Sequence, residues 1–327
     1  MTDLVLHIGL SKCGSTTIQS SLKNYNHYLG RGGADPTGNA LTSEFLRLSP
    51  INPIPSFGVY RHRAWARRAM DHVSRKSGRE PDCCILSSEV LSKPIRSNYE
   101  HLYQFLRFID EKIWIWGKVK VVLVLRNQMS RLGSMFAQRA HSIFNANQEL
   151  FEIFVSQQLA KDASLNYKSL VAGLNQTIGA ENTCVLFLEE IATVSFWNDL
   201  YRFSGVQDFS SESIVTDMPS SNRKSVASNT WTIRDACSEE AAAAFANTVL
   251  TWCWPANALP SMRSSTKRAL IGLNGVYRRQ RFSKETSRGD TFELTHRLEI
   301  EIKDRVKQGN KELARLVRRN LGSLGYF

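Results

Sequence analysis

Residues 4–17, LVLHIGLSKCGSTT, constrain this chain more than any other stretch. An apolar run passes directly into a turn framed by Gly9 and Gly14, which carries Lys12 and then the small hydroxyl residues Ser15, Thr16 and Thr17. A strand that enters a glycine turn and then a helix start is a unit of α/β architecture. It is also anion-holding architecture, because successive backbone N–H groups and a helix N-terminus offer partial positive charge while the glycines let the backbone approach closely. The ATP-binding pattern G-x-x-x-x-G-K-[ST] puts lysine directly after the second glycine. Here that place is held by Ser15, and Lys12 lies two residues before Gly14, so the cation meets a different part of a ligand. A glycine turn that merely connects strand to helix remains the alternative.

Residues 118–125, KVKVVLVL, are too apolar for a strand with one wet face and read as a buried parallel strand. Arg126 follows at the carboxyl edge of the sheet, where open α/β folds bind ligands. Helix-forming residues begin at about Met129 and place Ser134, eight residues after Arg126, on the first or second turn. Pairing with a carboxylate or a helix C-terminus is the plainer use of such an arginine. Between these segments the apolar run from Cys83 to Ser88 reads as a further central strand, and Glu89 emerges at its carboxyl end toward the same crevice. A carboxylate there can act as a general base. It can equally pair with Lys12 or Arg126, or sit near a helix start.

The loop resembles the 5′-phosphosulfate loop of sulfotransferases that use 3′-phosphoadenosine-5′-phosphosulfate (PAPS), a strand followed by P-K-[ST]-G-[ST]-[ST]. Ser11 stands where that pattern has proline, and Cys13 where it has a hydroxyl. Arg126 and Ser134 match the arginine and serine, eight apart, that hold the 3′-phosphate in this family, although Gln128 and Ser130 replace the usual proline and aspartate of the turn. The resemblance is clearest for 1–30, 80–140 and 180–190. It implies a PAPS-dependent transferase in which Lys12 neutralises the leaving nucleotide and Gly14, Ser15, Thr16 and Thr17 hold the 5′-phosphate. Arg126 and Ser134 would then hold the 3′-phosphate, and Glu89 would take the acceptor proton. Glutamate at that place is common in the carbohydrate-modifying branches, which implies a carbohydrate or glycolipid hydroxyl as acceptor. No metal enters the scheme, and the sequence has neither a zinc-ligand spacing nor an acidic oxygen-donor loop. Two rivals stay open: a P-loop kinase or NTPase, with Glu89 as a magnesium ligand, and a relative that binds nucleotide or glycan without turnover.

The fold expected is α/β, a P-loop-like central parallel sheet flanked by helices, with a helical C-terminal extension, in one domain over 1–327. Residues 30–60 and 206–290 are expected as acceptor-side insertions. In detail the reading is strand 4–8, helix 15–28, loop 30–58, a basic helix 60–77, a helix 98–115, helices through about 178, and a strand 182–188 ending in Glu189 and Glu190. Further on come a helix at 236–254, with Trp231, Trp252 and Trp254 nearby as core or ring-stacking residues, and an amphipathic helix at 292–317. The net charge of +12 implies anionic partners. A nucleotide donor and an acidic acceptor suffice, and no nucleic-acid-binding pattern is present. The clusters at 61–68, 278–281 and 315–319 read as solvated helix faces or an anion-binding surface. Six scattered cysteines read as reduced thiols, and with a core strand starting at residue 4 and no membrane-length apolar run they point to a cytoplasmic, bacterial-type enzyme.

Overall fold

In the computed structural model, residues 1–23, 25–29, 35–48, 55–92, 98–140, 146–161, 163–206, 230–232 and 291–327 are described. The expected helix at 236–254, Trp252, Trp254, Cys237, Cys253 and the basic cluster 278–281 lie outside them.

The α/β expectation holds. Four parallel strands, β1 (Asp3–His7), β2 (Cys83–Ser87), β3 (Val119–Leu125) and β4 (Thr183–Phe187), form one sheet in the order β2-β1-β3-β4. Registers pair His7 with Ser87, Leu4 with Val119 and Leu125 with Phe187. Leu4, Val5, Leu6 and residues 121–125 are fully covered, as strands buried on both faces must be. The one charge inside β3, Lys120, pairs with Asp3 at 2.8 Å.

Helices α1 (Ser15–Leu22), α2 (Pro36–Leu48), α3 (Pro55–Ser77), α4 (Glu100–Lys112), α5 (Gln128–Ala140), α6 (Gln148–Lys161), α7 (Tyr167–Ile178), α8 (Val194–Ser204) and α9 (His296–Val317) accompany the strands among the described residues. Three expectations need correction. The first helix ends at Leu22 rather than 28, because residues 27–29 instead serve the free edge of β2: Ile85 N–H donates to His27 O at 2.9 Å and Leu29 N–H to Ile85 O at 2.8 Å. The stretch read as loop 30–58 contains α2. Its Asp-Pro-Thr-Gly composition is helix-start chemistry, with Asp35 accepting the Gly38 N–H at 3.0 Å and Pro36 at the first helical position. Asp35 also accepts from His72 at 2.7 Å and Lys76 at 3.2 Å on α3, tying the two helices together. The terminal helix begins at His296 rather than 292, since Phe292 lies in a strand. The exposed arginines Arg61, Arg67 and Arg68 of α3 form the expected solvated face.

The chain divides into two compact units. One comprises 1–131, 158–224 and 300–327 and contains the parallel sheet; the other comprises 132–157 and 225–299. In the second, β5 (Thr230–Thr232) pairs antiparallel with β6 (Thr291–Glu293). Trp231 is 6% exposed and stacks on Phe292, with centroids 5.7 Å apart and ring planes 13° apart. Phe136, Phe151 and Phe154 complete the cluster, so Trp231 is core. Among the described residues no helix is long and apolar enough to cross a membrane, and Cys13, Cys83, Cys84 and Cys184 are free thiols.

Candidate active site

All four strands are parallel, so their carboxyl ends, with the segments attached there, lie along one edge of the sheet. In spatial order that edge carries Glu89 after β2, the 8–14 turn after β1, Arg126 after β3 and Glu189 after β4. From β1 the chain crosses to β2 on one side and returns to β3 on the other. The strand order therefore reverses between β1 and β3, the place where open α/β sheets form a ligand crevice. The Lys12 turn and Arg126 flank that reversal, and Glu89 follows a strand two places from the one that ends at Arg126.

Within the turn, Cys13 N–H donates to Leu10 O at 3.1 Å, Lys12 has φ 66° and Gly14 has φ 78°. A left-handed lysine costs on the order of 1 kcal/mol and persists only where its surroundings hold it. Two arginines do so. Arg126 Nη1 donates to Lys12 O at 3.2 Å, and Arg131 Nε to Ser11 O at 3.2 Å. Arg131, 2% exposed, also donates to Ser164 O and Ser164 Oγ, each at 2.7 Å. Gly14 suits its place because its φ is positive, and a Cβ there would lie 2.4 Å from Leu188 Cδ1, a side-chain end that would have to give way. Gly14 then leads into α1, whose first turn has no side-chain cap and no acidic residue. A helix start of that kind leaves its positive end to an incoming anion. Ser15 is buried, Thr17 half-buried and Thr16 exposed.

Arg126 sits on a braced turn. Tyr167 O–H donates to Arg126 O at 2.7 Å, and Asn127 N–H to Glu189 Oε1 at 2.7 Å. Asn127 Oδ1 accepts from Met129 N–H and Ser130 N–H at 3.0 and 3.4 Å, capping α5, while its amide donates to Gly325 O. Gln128, where the sulfotransferase pattern has another residue, exchanges hydrogen bonds with Asn310 at 2.8 and 3.1 Å. Burial lowers the Arg126 pKa, with Glu189 among the groups opposing the shift, and a guanidinium stays charged at any working pH. Burial likewise pushes the Glu189 carboxyl up, against the Asn127 N–H and Tyr326 O–H that it accepts. Glu189 therefore acts as an anchor for this turn, and Glu190 pairs with Arg319.

The Cys13 thiol gauges how these charges converge. Burial raises its pKa to about 12, Arg131 and Arg126 oppose that shift, and Glu189 and Glu89 add to it. Glu89, half-buried, opens a short 3-10 turn that runs to Ser92. Lys12, Gly14 to Thr17, Arg126 and Glu89 thus share one unit and one sheet edge. Ser134, half-buried on α5, belongs to the second unit.

Two residues that sequence reading did not single out shape this edge. Arg131 is buried on α5, as are Met135 and Phe136 one turn further along the same helix, and an arginine at that apolar spacing was the available signal. His7 closes β1: it is 1% exposed, its Nδ1 lies 2.7 Å from Ser87 Oγ, and Ser88 N–H donates to its carbonyl at 3.0 Å. Burial lowers its pKa from 6.5 to about 4. The unfolded chain therefore binds a proton between those values that the folded chain refuses, so stability is full above pH 6.5 and falls as pH drops toward 4. The gap corresponds to about 3 kcal/mol. Urea unfolding from about pH 7 to pH 4 should show this loss, and His7→Gln should flatten it; an unchanged slope would rule His7 out as its source.

No protein-family model and no curated protein matches the sequence. Among solved structures, the chain is similar to the sulfotransferase domain from the Synechococcus PCC 7002 olefin synthase, at 15% identity and a TM-score of 0.37, over 84% of this chain and 94% of that one. At that distance the similarity bears on neither donor nor acceptor.

Proposed function

We propose that the protein transfers a sulfuryl group from PAPS to an acceptor hydroxyl on a carbohydrate or glycolipid. The observation that supports this reading is the hydrogen bond from the Arg126 guanidinium to the Lys12 carbonyl at the β1/β3 reversal, which ties a strand-end arginine to the glycine turn from a distant part of the sequence. The uncapped start of α1 and its hydroxyls suit the 5′-phosphate, and the Arg126 guanidinium suits the 3′-phosphate through its planar fork. Ser134 enters by resemblance alone.

Chemistry of this kind asks mainly for positioning and charge stabilisation. The acceptor oxygen attacks sulfur as the bond to the bridging phosphate oxygen breaks, and the Lys12 ammonium neutralises charge gathering on that oxygen. Glu89 takes the acceptor proton, for which its place across the sheet edge from Arg126 is suited. Four free thiols are compatible with a reducing, cytoplasmic setting.

The test is twofold. Adenosine 3′,5′-bisphosphate should bind at least tenfold more tightly than ATP in calorimetry, and labelled PAPS should pass its sulfate to a member of a panel of sugars and glycolipids. Glu89→Gln should then lower kcat by about a hundredfold or more while bisphosphate affinity stays within a few-fold. Preference for ATP would favour a kinase or NTPase, and unchanged turnover in Glu89→Gln would remove the glutamate from the chemistry.

A further inference from the structure

Beneath the anion turn lies a buried polar file that the proposed transfer does not by itself use. Ser87 Oγ receives the Gln19 side-chain N–H at 3.1 Å and sits 2.7 Å from His7 Nδ1. Tyr28, whose phenol burial keeps protonated, also hydrogen-bonds Ser87. A hydroxyl oxygen has two lone pairs. Gln19 donates into one of them, and with the Ser87 proton given to His7 Nδ1 the imidazole proton would sit on Nε2.

His7 Nε2 is buried and has no hydrogen-bond partner among the described residues, and the same holds for the hydroxyl of Ser15, 2% exposed at the first position of α1. Both atoms border the same small space. A Cβ built on Gly9 would lie 2.1 Å from Ser15 Oγ and 3.4 Å from His7 Nε2, so a side chain there would crowd the space that the two groups share. Two adjacent orphaned polar atoms are costly in a folded chain and call for an explanation. The helix start they adjoin has no side-chain cap.

We infer that His7 is a positioning residue for the anion site: its Nε2–H turns to Ser15 Oγ when an anion enters, so that the Ser15 hydroxyl donates its own proton to a phosphate oxygen of the nucleotide. The file then runs from Gln19 through Ser87, His7 and Ser15 to the anion, each donating to the next. Hydrogen bonds aligned in this manner polarise one another. A neutral histidine suits the task, since it directs a dipole at the site without a buried net charge. The inference rests on the nucleotide reading above, and its failure is distinguishable from the failure of that reading.

Calorimetric titration with adenosine 3′,5′-bisphosphate tests it on the full chain. If the unaltered protein does not bind, the nucleotide reading fails. If it binds, Ser15→Ala and His7→Asn should each weaken affinity about tenfold, and the double variant should be no weaker than either single one. His7→Gln, whose amide reaches the Nε2 position, should stay within about threefold of the unaltered protein, whereas a merely structural histidine would treat the two substitutions alike. Losses that multiply in the double variant, or equal behaviour of His7→Asn and His7→Gln, would overturn the inference. Should His7→Asn fail to fold, the imidazole N–H resonance of the unaltered protein decides: bisphosphate should shift it and slow its exchange with water, and an unmoved resonance refutes the file.

Discussion

Lys12→Met should lower the rate of sulfuryl transfer by about a thousandfold while bisphosphate affinity changes by no more than a few-fold. The methionine keeps the length and apolar stem of the side chain and removes only its charge. The turn should survive, because what holds position 12 is its main-chain carbonyl in the grip of Arg126. In the proposed transfer the lost contribution would be the one made as charge grows on the departing nucleotide, and removing a single group of this type costs on the order of 3–4 kcal/mol of transition-state stabilisation. An interaction made only in the transition state lowers kcat without loosening the ground-state complex. Single-turnover rates beside calorimetric affinities separate the two. A drop below tenfold would mean that Lys12 is an anchor and not an electrostatic catalyst.

Arg131→Met should damage both the fold and the site. The guanidinium lies inside the protein and supplies donors to Ser11 O, Ser164 O and Ser164 Oγ. A buried acceptor stripped of its donor costs about 1–3 kcal/mol, so the variant should lose roughly 3 kcal/mol or more in urea unfolding. Bisphosphate binding should weaken more than tenfold, since the Ser11 carbonyl no longer fixes the turn that presents the amides. Arg131→Lys should recover little of either, because three acceptors need a fork and an ammonium is a compact point charge. Intact stability with weakened binding would instead place Arg131 in direct contact with the ligand.

The strands were legible because their apolar runs have no alternative in a wet environment. Expected spans 4–8, 118–125 and 182–188 differ from the observed β1, β3 and β4 by no more than one residue at an end. Lys12, Arg126 and Glu89 were legible as a group because each comes just after such a run, and a parallel sheet gathers the carboxyl ends of its strands at one edge. Helix α2 was not. Its polar, glycine-bearing opening looks like a connector until Asp35 is seen serving Gly38, His72 and Lys76 at once. Arg131 and His7 were missed for a related reason. Each acts through partners brought from elsewhere: the apolar spacing of α5 marks Arg131 as buried without naming what it bonds, and the partners of both residues lie 33 to 120 residues away.

One brace carries a consequence for how the protein matures. The turn that displays Arg126 is fastened by Asn127 to the carbonyl of Gly325, 198 positions downstream, and Tyr326 reaches back to Glu189. Closing so distant a loop is slow compared with forming the helices between. A nascent polypeptide would therefore assemble strands β1 to β3 well before this clasp exists, and the turn that displays Arg126 would stay unfastened until residues 325 and 326 have been made.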